Sequence, residues 1–142
     1  MARGMTIRPG RADEAAGVFA KAGMREAERA ARDGLADDES CWIADLDDAQ
    51  VGAVFVCLAN AILDGDEWTK AAMVCYLGVL RDHRDEGVGS RVLSLFVEEA
   101  RRAGASFVTL LAPPSADARL KRFYVGNGFM QVDGQVFRYT IQ

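Results

Sequence analysis

A strand, loop, helix and strand succession between residues 72 and 112 restricts the chain to folds that contain a parallel crossover. Residues 72–80 form a β-prone run, and 87–103 follow with Val88, Val92, Leu93, Phe96, Val97 and Ala100 at helical spacing. Glu98 stands four residues before Arg102, and Gly104 suits the position just past a helix end. Residues 106–112 are β-prone again and are stopped by Pro113 and Pro114. A strand, helix and strand succession of this length normally makes a right-handed parallel crossover.

The rest of the chain predicts antiparallel neighbours. Thr6, Ile7 and Arg8 form a short strand, Pro9 and Gly10 turn the chain, and the Ala-rich stretch 12–32 predicts a helix broken near Gly17 or Gly23. Residues 41–46 and 51–59 are β-prone, with Asp47, Asp48, Ala49 and Gln50 as a four-residue hairpin connection. Asp64, Gly65, Asp66 and Glu67 mark the next turn, which gives a meander of three or four strands. Ser115 or Asp117 can cap a short helix through Tyr124 that ends at Gly126, and 129–132 and 135–141 flank Asp133 and Gly134 as a last hairpin. This order predicts an α+β fold with a mixed sheet and helices on both faces. The chain has 142 residues, half of them apolar, so one domain spanning 1–142 is expected.

Composition excludes several classes of partner. The net charge of −4 is a mixture of both signs, without the basic surface that phosphate backbones require, so nucleic acid is not an expected partner. Nothing resembles a membrane span or the apolar region of a signal peptide, which predicts a cytoplasmic protein with no membrane partner. Cys41, Cys57 and Cys75 lie far apart in apolar runs, as packing residues do, and with His83 the only histidine there is no recognisable zinc site.

The chemistry concentrates where the strand enters the helix. The first turn of a helix presents backbone N–H groups without internal acceptors, and the macrodipole adds positive potential, so an anion fits there. Gly87 and Gly89 allow that anion to approach the backbone closely. The loop lacks the Lys-Ser or Lys-Thr pair of a P-loop and the three spaced glycines of the dinucleotide fingerprint.

Arg84-Asp85-Glu86-Gly87-Val88-Gly89 resembles the Arg/Gln-x-x-Gly-x-Gly/Ala signature of the GNAT superfamily of N-acetyltransferases, and Val79 and His83 match its usual preceding residues. Phe123-Tyr124-Val125-Gly126-Asn127-Gly128-Phe129 resembles the late Tyr-x-x-x-Gly-Phe segment of the same family. The resemblance is specific from about Val74 to Phe129. It implies a mostly antiparallel central sheet of about six to seven strands that splays open to hold acetyl-CoA. It further implies that the cofactor pyrophosphate sits on Arg84, Asp85, Glu86, Gly87, Val88, Gly89 and Ser90, and that the pantetheine arm pairs like a strand beside Leu77, Gly78 and Val79. Asp117 stands where many relatives carry a cofactor-contacting Asn.

The implied activity is direct transfer of the acetyl group from acetyl-CoA to a primary amine, either a small amine or a peptide amine. Tyr124 is the candidate proton donor to the departing thiolate; outside the motif, its reading would be an aromatic packed beside Phe123. Relatives often carry a carboxylate where this chain has Tyr76 and Ala112, so no general base is assigned. Cys75 has no identifiable histidine partner and is not expected to carry the acetyl group, and His83 matches a structural residue of the motif. The acidic residues Asp45, Asp47, Asp48, Asp64, Asp66 and Glu67 could attract a cationic amine, although such clusters more often solvate loops. The alternative reading is a non-catalytic acyl-CoA-binding module, and exposed sheet edges allow a homodimer under either.

Overall fold

The computed structural model describes residues 4–141 apart from 63–67, 85, 113–115 and 117. Asp64, Asp66, Glu67, Asp85, Pro113, Pro114, Ser115 and Asp117, all singled out above, therefore lie outside the described residues.

Seven strands form one sheet: β1 (Met5–Pro9), β2 (Glu39–Leu46), β3 (Ala49–Ile62), β4 (Trp68–Val79), β5 (Phe107–Leu111), β6 (Met130–Asp133) and β7 (Val136–Thr140). Their order is β1-β2-β3-β4-β5-β7-β6. The helices are α1 (Ala12–Lys21), α2 (Arg25–Arg32), α3 (Val88–Arg102) and α4 (Ala118–Gly126). The sheet is mostly antiparallel; β4 and β5 run parallel, with Ala71 opposite Phe107 and Val74 opposite Leu110, as the crossover through α3 requires. The chain divides into two compact units, Met1–Val56 with Tyr76–Val92 and Cys57–Cys75 with Leu93–Gln142.

In the first unit, β1 pairs antiparallel with β2, placing Ile7 opposite Ala44. Residues 51–56 of β3 are buried without alternation, so both faces of this strand are covered. Helix α1 buries Ala15, Ala16, Val18 and Phe19, and α2 buries Ala27 and Ala31. The helical stretch breaks at Gly23, not Gly17: Gly23 takes φ +76°, and the Met24 N–H donates to Phe19 O at 2.9 Å. The hairpin between β2 and β3 is tighter than the four residues expected. Asp47 and Asp48 both adopt left-handed φ, +50° and +69°, which closes a two-residue turn and leaves Ala49 and Gln50 in the strand.

The second unit packs Phe96, Val97 and Ala100 of α3, Phe107, Val108 and Leu110 of β5, Tyr124 of α4 and Phe137 of β7 into its core. Strand β7 inserts between β5 and β6, pairing antiparallel with both, and a bulge interrupts β6 between Gln131 and Asp133. Strand β4 starts before residue 72 and stops one residue short of Leu80, whose N–H nevertheless donates to Val51 O at 2.8 Å in the first unit. Glu98 pairs with Arg101 and Glu99 with Arg102, in place of the expected Glu98 and Arg102 pair. Residues three apart are also neighbours on a helix, and Glu99 reaches Arg102 first.

Candidate functional site

Leu77, Gly78 and Val79 end β4. A Cβ at Gly78 would lie 2.8 Å from Met24 Sδ and 3.1 Å from Phe19 Cδ1, so any larger residue would displace those side chains. After Leu80 the chain makes one 3-10 turn, Arg81–His83, with the His83 N–H donating to Leu80 O at 2.9 Å. The next residue folds back: Arg84 Nε donates to Val79 O at 3.1 Å and ties the loop to the strand it has just left. His83 Nδ1 and Glu86 Oε2 lie 3.3 Å apart across the loop, both side chains partly exposed.

Gly87 then turns the chain into α3. Its φ of +82° suits glycine, the space a Cβ would occupy is open, and its carbonyl accepts the Arg91 N–H at 3.1 Å. The N–H groups of Val88, Gly89 and Ser90, in the first turn of α3, precede this first intrahelical bond and have no acceptor within the helix. Val88 is buried and anchors the helix start, Gly89 and Ser90 are half-buried, and no acidic side chain occupies the first turn. Oriented donors, the positive end of a macrodipole and open space beside Gly87 can together receive an anion. Asp85 belongs to this loop but lies outside the described residues, as does Asp117 before α4.

Tyr124 belongs to the second unit. Its ring packs against Phe123 at 5.5 Å, Phe137 at 5.4 Å and Phe129 at 6.4 Å between centroids, and its carbonyl accepts the Phe129 N–H at 3.1 Å beyond the helix end. Burial pushes the Tyr124 phenol above its ordinary pKa, so the hydroxyl stays protonated at neutral pH. Tyr76, standing where relatives often carry a carboxylate, makes edge contacts with Phe19 at 6.2 Å and Phe55 at 6.3 Å and serves packing. Ala112 is buried, and Cys75 is half-buried in β4.

One cluster escaped sequence reasoning. Arg8 donates to Glu14 through both terminal nitrogens, at 3.2 and 2.7 Å, and to Asp45 through Nε at 2.7 Å. Gln50 Nε2 and the Arg11 N–H also donate to Glu14, at 2.7 and 3.0 Å. With hydrogen bonds from Arg8 foremost, the Glu14 carboxyl is lowered to about 2. Asp45, expected among acidic residues that solvate loops, instead pairs with Arg8 on the neighbouring strand and shares that single positive charge with Glu14. It lines a shallow concavity with Asp47, Asp48 and Gln50. No local signal could reveal this, because Glu14 and Gln50 are 36 residues apart.

Comparison with known proteins agrees with this architecture. The model of the acetyltransferase (GNAT) domain family matches residues 37–131, and the chain belongs to that family. A search of curated proteins finds no match. Among solved structures, Arabidopsis thaliana NAA60 in complex with a bisubstrate analogue superposes with a TM-score of 0.78 at 15% identity, covering 98% of this chain and 100% of that one. The ribosomal-protein-alanine N-acetyltransferase of Brucella melitensis biovar Abortus 2308 gives 0.74 at 20% identity, covering 98% and 99%. The aminoglycoside N-acetyltransferase AAC(6')-Iy in complex with CoA gives 0.76 at 14% identity, covering 94% and 93%. At these identities the superpositions establish the shared fold, and the family match makes the chain an acetyltransferase-class protein. Among the described residues, no helix is long and apolar enough to cross a membrane.

Proposed function

We propose that the chain is a single N-acetyltransferase domain that binds acetyl-CoA and transfers its acetyl group directly to a primary amine of a small molecule or peptide in the cytoplasm. The observation that carries this reading is the start of α3, where N–H groups with no acceptor within the helix, an open glycine at φ +82° and a first helical turn free of acidic side chains suit a pyrophosphate. Arg84, Glu86, Gly87, Val88, Gly89 and Ser90 would line the pyrophosphate, with Asp85 between them and Asp117 near the cofactor. Leu77, Gly78 and Val79 would hold the pantetheine arm along the end of β4. The fold shared with a CoA complex and a bisubstrate-analogue complex supports the choice of co-substrate.

In the reaction proposed, the amine nitrogen bonds to the thioester carbonyl carbon and the carbon–sulfur bond breaks. Tyr124 gives its hydroxyl proton to the departing sulfur, whose ordinary pKa is about 8.5, while the amine's extra proton leaves to water. The phenol is protonated at neutral pH and so has a proton to give, while its burial makes it a weaker acid than a free tyrosine.

Two measurements test this. Titration calorimetry should show acetyl-CoA binding to the wild type and none to a folded Gly87→Trp variant, since the indole would fill the open space; equal affinity would remove the assignment of the loop. Thiol release from acetyl-CoA should then appear with at least one class among aminoglycosides, polyamines, amino acids and peptide N-termini. Binding with no thiol release from any class would instead favour the non-catalytic acyl-CoA-binding module.

A further inference from the structure

The anion site proposed at the start of α3 follows a loop with an unfavourable set of charges. Residues 81–86 carry Arg81 and Arg84 against Asp82, Asp85 and Glu86, so the loop is net negative before His83 is counted. Like charges repel, and the carboxylate closest to a bound anion matters most. Glu86 immediately precedes Gly87, beside whose open space the pyrophosphate would sit. Arg84, the nearest cation along the chain, has its Nε committed to Val79 O at 3.1 Å.

The Glu86 carboxylate is met instead by His83. The imidazole Nδ1 lies 3.3 Å from Glu86 Oε2, with the two side chains 23% and 33% exposed, so water screens the contact only in part. A carboxylate only accepts, and the contact therefore makes Nδ1 a hydrogen-bearing nitrogen. The backbone of His83 is itself fixed, because its N–H donates to Leu80 O at 2.9 Å and the Arg84 N–H donates to Arg81 O at 3.3 Å. The imidazole is thus anchored to the end of β4, and the Glu86 side chain is anchored to the imidazole.

We infer that His83 is a positioning residue for the co-substrate: its Nδ1–H holds the Glu86 carboxylate back toward the 3-10 turn, so that the N–H groups of α3 meet the pyrophosphate without an opposing charge beside them. The inference rests on the reading of this loop as the pyrophosphate site. It gives the only histidine of the chain a part that ring packing alone does not. Substitution separates the two roles. His83→Phe keeps a ring and removes the donor, whereas His83→Asn gives up the ring and sets an amide N–H where Nδ1 stands.

Titration calorimetry with acetyl-CoA, on variants whose circular dichroism matches the wild type, tests it. His83→Phe should weaken binding about fivefold, the scale of one charge contact at a protein surface. His83→Asn should bind within about twofold of the wild type. Glu86→Gln should bind at least as tightly as the wild type, and adding His83→Phe to it should cost nothing further, since no charge is left to hold back. Where His83→Phe does not fold, His83→Ala takes its place in the cycle. An equal loss from His83→Phe in both backgrounds, a loss in His83→Asn as large as in His83→Phe, or weaker binding by Glu86→Gln would overturn the role of His83 and leave the pyrophosphate reading standing. A wild type that binds no acetyl-CoA would overturn that reading and this inference with it.

Discussion

At the scale of single residues, Tyr124 carries the sharpest chemical expectation. Its ring is locked among Phe123, Phe129 and Phe137, and Tyr124→Phe keeps those contacts while deleting the proton. Acetyl-CoA affinity should survive, and single-turnover acetyl transfer should fall by about 10²–10⁴-fold, the usual contribution of general acid catalysis. Rapid-quench measurement at saturating co-substrate gives the answer, and equal rates would reduce the residue to packing. The turn at Gly87 and the short helix that carries Tyr124 and ends at Gly126 were legible in the sequence. The bond from Arg84 Nε to Val79 O was not, because a side chain's choice between solvent and a backbone acceptor depends on how the loop closes. The same holds for Tyr76, whose aromatic partners Phe19 and Phe55 come from distant parts of the chain.

At the scale of elements, hydrophobic period was a reliable guide and turn chemistry less so. α3 was readable from its apolar stripe, and the broken helix over 12–32 from its glycines. The β2 to β3 turn was read too long because two aspartates in left-handed geometry replace the glycine that usually signals a two-residue hairpin. The insertion of β7 between β5 and β6 leaves no local trace, since strand order is a property of pairing. The junction of β1, β3 and α1 is held by Glu14, which accepts from Arg8, Arg11 and Gln50. Its carboxyl is lowered from an ordinary 4.5 to about 2, so its stabilising contribution is complete above about 4.5 and disappears as pH falls through about 2. Glu14→Gln should therefore lower stability by about 1–2 kcal/mol at neutral pH, a modest figure because Arg8 is partly exposed. Urea unfolding of the two proteins should give midpoints that converge as the medium is acidified across that window. A constant gap would show that charge is not what Glu14 supplies.

At the scale of the whole molecule, the same fold is found in solved structures named for different acceptors, an aminoglycoside and a ribosomal-protein alanine, so the fold by itself does not select the amine. Acceptor choice depends on side chains outside the two motifs, where the resemblance carries least. The buried thiol of Cys41 has a separate consequence. It donates to Gly10 O at 3.2 Å, and burial, followed by the nearby Glu14 and Asp13 carboxylates, pushes its pKa upward. The thiolate is the form that attacks alkylating reagents, so Cys41 in the folded chain is doubly shielded, by sterics and by proton affinity. Iodoacetamide labelling followed by mass spectrometry should find Cys41 modified only as fast as the first unit opens, and faster in Glu14→Gln than in the wild type. Each modified thiol then records one past excursion from the native state, a running count of openings too rare and too brief for equilibrium spectroscopy to register.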